Sequence, residues 1–518
     1  KAFLADARPS REKRNELVDR LIGSPDFVEH WTNKWADLLQ VNRKFLGDQG
    51  AAALRNWIRE AIARNMPYDQ FVYAILTASG SNLENPPAAY YKVLREPDLV
   101  MENSTQLFLA IRFNCNKCHD HPFEKWTQDQ YYHLAAYFAQ VTRKEDPKYK
   151  NQKIGGSAVE GAVPLVEIVA DQNSGEVKHE RTGAVTPPKF PYTHGETPPA
   201  TLSRREQLAK WVTAKENPYF ARSYVNRIWS YLLGVGLIEP IDDIRAGNPP
   251  SNPKLLDRLT HEFIASGFNT QELMRTICKS RTYQHSMSVN QWNADDEINY
   301  SHAIARRLPA EVLYDSIHRV LGASTRLPGL PPNARAAQLV DSNVEVPGGF
   351  LNLFGKPPRE SACECERSGG VMLGPVLTLV NGPVIADALR EPNNRLARLV
   401  AAEPDDAKVV EEIFLAILCR RPSPAELEAG VKALQAAGPE HARLMAEYNR
   451  LVSLVQDYEK TLPAKQAAWE NSFKQLTPWE RLETVQAAAA GKNVKLTQQA
   501  DGSFLASGPN LSPETYTL

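Results

Sequence analysis

Residues 115–121 read Cys-Asn-Lys-Cys-His-Asp-His, and no other stretch constrains the chain as strongly. Two thiols three positions apart, followed at once by an imidazole, form the attachment signature of a c-type haem. Cys115 and Cys118 can add to the two vinyl groups of one porphyrin, and His119 then lies under the iron as an axial ligand. The flanking pattern supplies a turn for them. A helix is predicted over about 98–113, with Val100, Leu107, Ala110 and Ile111 inward, and it delivers the motif at its C-terminal end. Thr127 then caps a helix in which Tyr131, Leu134, Ala135 and Phe138 share a stripe.

The same setting suits a haem-free metal clip. Cys115, Cys118, Cys363 and Cys365 make a tetrahedral thiolate set for zinc or iron, and His119 and His121 can replace one pair. Asp120 or Glu124 adds an oxygen donor. A third reading makes the paired thiols disulfides.

Length and charge narrow the remaining classes. With 518 residues, the chain exceeds one typical domain. Lys plus Arg (60) nearly cancels Asp plus Glu (61), which leaves no global field for nucleic acid or an anionic membrane. No apolar run approaches the roughly 18 residues of a membrane span. The chain opens at Lys1-Ala2-Phe3-Leu4 and reads as a processed or truncated product. Neither a Gly-x-Ser-x-Gly elbow nor a phosphate loop occurs, and no carboxylate pair stands in a recognisable catalytic arrangement.

Periodicity predicts a mainly α protein. Residues 1–142 form a helical domain that carries the motif; Ser24-Pro25-Asp26 starts its first long helix with a capping hydroxyl, Pro at the first helical position and an acid in the first turn. Residues 143–203 are a Pro-rich linker with a β-hairpin, 164–170 against 176–181, around Asn173-Ser174-Gly175. A second helical domain spans 204–437; in it Phe220, Tyr224, Ile228 and Tyr231 form a stripe, with Arg222, Asn226 and Arg227 on other faces of the helix, the arginines solvated or ion-paired. A helical extension covers 438–490, with a helix at 423–437 before it and another at 440–462. From 491 to 518 the alternation marks the start of a truncated β domain.

Residues 323–370 carry little periodicity and much Pro and Gly, and loops of that length in compact domains tend to be functional. Cys363 and Cys365 lie in this loop, bracketed by the fixed charges of Arg359 and Arg367. The expectation is one interdomain cleft. Arg359 and Arg367 would stand near His119, His121 and Asp120 and bind an anion such as a haem propionate or a sugar sulfate.

Dispersed motifs point further. Leu17-Val18-Asp19-Arg20-Leu21-Ile22-Gly23-Ser24-Pro25, Trp35-Ala36-Asp37-Leu38 and the 115–123 stretch lie in the first half. Val225-Asn226-Arg227-Ile228-Trp229, Pro249-Pro250-Ser251-Asn252-Pro253, Ser280-Arg281-Thr282-Tyr283-Gln284 and Cys363-Glu364-Cys365-Glu366-Arg367 lie in the second. In these residues the chain resembles the planctomycete-type cytochrome-associated proteins, in which two adjoining domains of unknown function occur together. The resemblance covers about residues 10–435. It implies an exported protein, periplasmic or extracellular, with a separate cytochrome domain as redox partner and a link to polysaccharide use; no catalytic residue carries over. The leading expectation is a c-type cytochrome-like redox or electron-transfer protein. The alternatives are the haem-free zinc or iron site and a non-enzymatic glycan-binding or surface-assembly protein using Trp469 and Trp479.

Overall fold

Ser24 accepts the Phe27 N–H at 3.3 Å, Pro25 fills the first helical position, and the helix Pro25–Leu38 follows. It buries Trp31, Trp35, Ala36 and Leu38. In the computed structural model, which describes residues 2–155, 162–362, 373–473, 483, 486–491, 493–508 and 515–517, helices dominate and strands are short. The described chain packs as two compact units, Lys1–Arg421 and Pro422–Leu518.

An aromatic stack organises the first unit. Tyr68, from the helix Tyr68–Leu76, lies face to face with Tyr224 of the helix Phe220–Leu233, their ring centroids 3.7 Å apart. Tyr68 also stacks on Phe220 at 4.9 Å, and Trp35 meets Phe71 edge-on at 4.8 Å. Each such pair adds about 1 kcal/mol beyond the burial of its area. One apolar core thus takes residues from 31–138 and from 208–277 together.

The connection between the halves is woven into that core. Glu167–Asp171 is the central strand of a three-stranded antiparallel sheet, between Gly80–Ser81 and Val141–Glu145, with Gly80 opposite Val169 and Thr142 opposite Ala170. Val169 is buried, and Glu167 pairs with Arg95 at 2.8 Å. The expected hairpin is therefore corrected: 164–170 does not pair with 176–181, and Val177–Lys178 pairs instead with Val185–Thr186. Gly175 shows why. It adopts φ +121 against the Ala139 carbonyl, 2.2 Å from where a Cβ would sit, so the turn docks on the core and closes no hairpin. Farther on, Phe190 lies stacked between Tyr137 and Trp211.

The long loop is also folded. It contributes Leu327, Leu339, Phe350 and Phe354 to a smaller core with Ala310 and Tyr314 of the helix Ala310–Leu321. Its far end is fixed by Arg359, which is fully buried. The guanidinium donates to Asp37 at 2.8 Å, Asn33 at 2.6 Å, and the carbonyls of Val340 at 2.9 Å and Val41 at 3.3 Å.

In the second unit, Pro424–Phe473 is one helix with Pro439 and Pro463 inside it, where two helices were expected. Each proline removes one hydrogen bond, but Ala, Leu, Glu and Lys on both sides carry the helix through. Trp469 lies in its last turns, exposed; Trp479 falls outside the described residues. Lys495–Gln498 and Phe504–Ser507 pair antiparallel across Asp501-Gly502, as the alternation predicts.

Removing Arg359 leaves the Asp37 carboxylate and three other acceptors buried without their donor. Arg359→Met is expected to cost about 3–5 kcal/mol in urea unfolding. Lys44→Ala, which breaks the exposed pair with Glu360 (2.8 Å), should cost less than about 1 kcal/mol. Equal losses in the two variants would contradict the anchoring role of Arg359.

Candidate functional site

The helix before the motif does not run to residue 113. It is α-helical over Pro97–Ser104, widens to a π turn over Thr105–Leu109, and breaks at Ala110, whose φ is +54. The carbonyls released by the break are taken up by the second half of the chain. Arg227 donates to Leu107 O at 3.2 Å, Ser223 to Phe108 O at 2.7 Å, and the Ile244 N–H to Ala110 O at 2.7 Å. Asn226 and Arg227 are both buried. Asn226 exchanges two hydrogen bonds with the backbone of Ile238, both 2.9 Å.

Beyond the break, Asn114–Lys117 forms a 3₁₀ turn. Its underside is tied down by buried Asn116, which donates to Trp126 O at 2.7 Å. Gln128 and Tyr132 both donate to Lys117 O at 2.9 Å. Lys117 pairs with Asp98 at 2.7 Å, which raises its pKa. Thr127 and Gln130 close the capping box that starts the helix Gln128–Ala135. The turn is rigid below and open above, where Cys115, Cys118 and His119 are exposed and both thiols are free.

The two imidazoles and the carboxylate differ in what they can still do. His119 Nδ1 lies 2.7 Å from the Asp120 carbonyl, which can only accept, so Nδ1 carries the proton and Nε2 keeps its lone pair. His121 is reversed. Its Nδ1 accepts the Phe123 N–H at 3.2 Å, so in the neutral ring Nε2 holds the proton and offers no lone pair. Asp120 Oδ1 accepts the Gln128 N–H at 2.7 Å and serves the start of the next helix. Among the described residues no three side chains of His, Cys, Asp or Glu converge on a point that can hold a metal ion. Cys363, Cys365 and Arg367, expected to complete a shared site, lie outside the described residues. Arg359, expected beside the motif as an anion-binding cation, is spent inside the protein on the helix Pro25–Leu38 and its surroundings. A guanidinium buried so deeply must be paired, which removes it from ligand binding.

A second concentration of titratable groups went unread in the sequence. A cleft of about 470 Å³ is lined by Asp26, Glu29, His30, Asp315 and His318. Two of its acids are neutralised: Glu29 by Arg55 and Arg59 at 2.7 and 2.6 Å, Asp26 by Arg319 and Arg335. Asp315 has no cation beside it among the described residues. Burial raises its pKa to about 6, against the N–H groups of Ala336 and Ala337 that it accepts. Only its three-dimensional surroundings distinguish it from other aspartates.

The folded state therefore binds a proton on Asp315 more tightly than the unfolded chain. Stability linked to this group is present below about pH 4 and is lost as pH rises through about 6, amounting to roughly 3 kcal/mol. Asp315→Asn is expected to melt progressively above the wild type as pH increases from 4 to 7. Parallel melting curves over that range would contradict this assignment.

Residues 1–143 match the family PSCyt2, a protein of unknown function (DUF1549), and residues 204–434 match PSD1, a protein of unknown function (DUF1553). No curated protein and no solved structure matches the chain.

Proposed function

We propose that this chain, in which a DUF1549 domain and a DUF1553 domain adjoin as in the planctomycete-type pair, is an exported redox protein that takes a c-type haem on the Cys115 turn. One observation carries the reading: two exposed free thiols share a turn with an imidazole whose Nε2 lone pair is available. A zinc or iron ion needs its donors to converge, and among the described residues they do not. A porphyrin takes them at separate places, the thiols at two vinyl groups and the imidazole at the iron. Haem bound there would supply one-electron redox chemistry. The chain's own part is to hold the turn from below through Asn116, Gln128 and Tyr132, and to fix the His119 tautomer through the Asp120 carbonyl. Phe123, five residues past Cys118, is exposed. The partner in this reading is a cytochrome domain, and the wider role is electron transfer linked to polysaccharide use.

The test is expression alongside a c-type haem maturation system, followed by denaturation and solvent extraction. Haem absorbance is expected to stay with the polypeptide in the wild type and to disappear in Cys115→Ser/Cys118→Ser. His119→Ala should retain covalent haem with an altered spectrum, and His121→Ala should leave the spectrum unchanged. A wild-type protein without covalent haem would overturn the proposal.

A further inference from the structure

On the helix Pro424–Phe473, large apolar residues recur at 444, 448, 451, 455, 458 and 462, in alternating steps of four and three. That is the seam of a coiled coil, whose period is about 3.5 residues against the 3.6 of a straight helix. With Tyr448 and Val455 at position a, Leu444, Leu451 and Tyr458 fall at d, and the repeat runs on through Leu462 to Trp469, both at a. The rest of the helix respects this frame. Pro439 and Pro463 fall at f and b on the outer face, where a missing N–H leaves the seam unbroken. Arg450 pairs with Glu447 at 2.6 Å and Lys460 with Asp457 at 2.8 Å, along the helix and off the seam.

Among the described residues nothing covers the seam. No residue of the helix is buried, and its seven apolar seam side chains are each 43% to 61% exposed. Met445, Leu454 and Phe473, also exposed, widen the strip. Side chains of this size at half exposure show roughly 90 Å² each, so the strip presents on the order of 900 Å². A single soluble chain rarely leaves more than about 600 Å² of apolar surface in one patch. A stable interface takes about 800 Å² from each partner, which this strip supplies.

We infer that two copies of the chain pair through this helix as an antiparallel coiled coil, with the two-fold axis level with Ser453. Reversing one helix sets its a positions against the d positions of the other. Val455 then meets Leu451, Tyr448 meets Tyr458, and Leu462 meets Leu444, so every large apolar layer finds an apolar layer opposite. Trp469 meets the small Ala437. Lys465, whose Nζ lies 4.1 Å from the Tyr458 ring centroid, meets His441. Parallel pairing in register would instead set Lys465 against Lys465 and Trp469 against Trp469, a like-charge contact and an overfilled layer. The antiparallel seam is self-complementary, as a two-fold interface must be. The inference stands whether or not the Cys115 turn carries haem.

Analytical ultracentrifugation of the full chain tests it. At micromolar concentration the mass should be twice the 57.9 kDa of one chain. Leu451→Lys and Val455→Lys should each return it to the mass of one chain, while Ser453→Lys, on the outer face, should leave the dimer intact. Should a lysine variant fail to fold, a photocrosslinker in an otherwise wild-type chain replaces it. Leu444→benzoylphenylalanine should then crosslink to the peptide around Leu462 of the second copy. Crosslinks to the peptide around residue 444 would show a parallel pair and overturn the assignment, as would a dimer indifferent to both lysines. A monomeric wild type would overturn it too, and hydroxyl-radical footprinting would then say what takes the seam. Protected Leu451 and Tyr458 would point to a cover within the same chain, and reactive ones to a different protein.

Discussion

The carbonyls of Leu107, Phe108 and Ala110 give up regular helical pairing where the helix begun at Pro97 widens and breaks. A buried carbonyl left without a donor costs about 1–3 kcal/mol, so a break with several of them persists only if donors come from elsewhere. They come from Arg227, Ser223 and Ile244, more than 100 residues farther along. The first 143 residues therefore do not hold this geometry alone. Aromatic packing of Tyr68 between Phe220 and Tyr224 works in the same direction, placing the second half where its donors are needed. The two adjoining domains of unknown function share one core.

What the break positions lies just beyond it in the chain. Arg112, two residues past Ala110, turns to Asp242 and lines a cleft of about 960 Å³. Cys115, three residues farther, begins the exposed turn with the free thiols and His119. Ile244 and Asp242, two positions apart, hold the broken backbone and Arg112 respectively. A single short loop of the second half thus braces both the approach to the Cys115 turn and a wall of that cleft.

Legibility in the sequence followed the range of the interactions. Signals confined to a few residues were readable: the Ser24-Pro25 helix start, the Thr127 cap, and the seven-residue motif itself. Each depends on neighbours within about four positions. The π turn was not readable, because local apolar spacing favours a straight helix and its stabilising donors lie far away. Strand pairing failed for the same reason: Glu167–Asp171 found partners at 80–81 and 141–145, while the turn at Gly175 that suggested a hairpin is docked on Ala139. Arg359 was read as a cation available to a ligand, since sequence does not reveal that Asp37 and Asn33, more than 300 positions earlier, enclose it. Asp315 was invisible for want of any local pattern.

Hydrogen exchange of the full chain, followed by mass spectrometry in increasing urea, tests the shared core most directly. Backbone amides report the free energy of the smallest opening that exposes them, so elements of one cooperative unit converge on one value. Peptides from Tyr68–Leu76 and Thr105–Leu109 are expected to merge with those from Phe220–Leu233 into one unfolding isotherm. Two isotherms, with residues before 143 opening separately from those after 204, would show that each half holds its own fold and would contradict the dependence of the Cys115 turn on the second half.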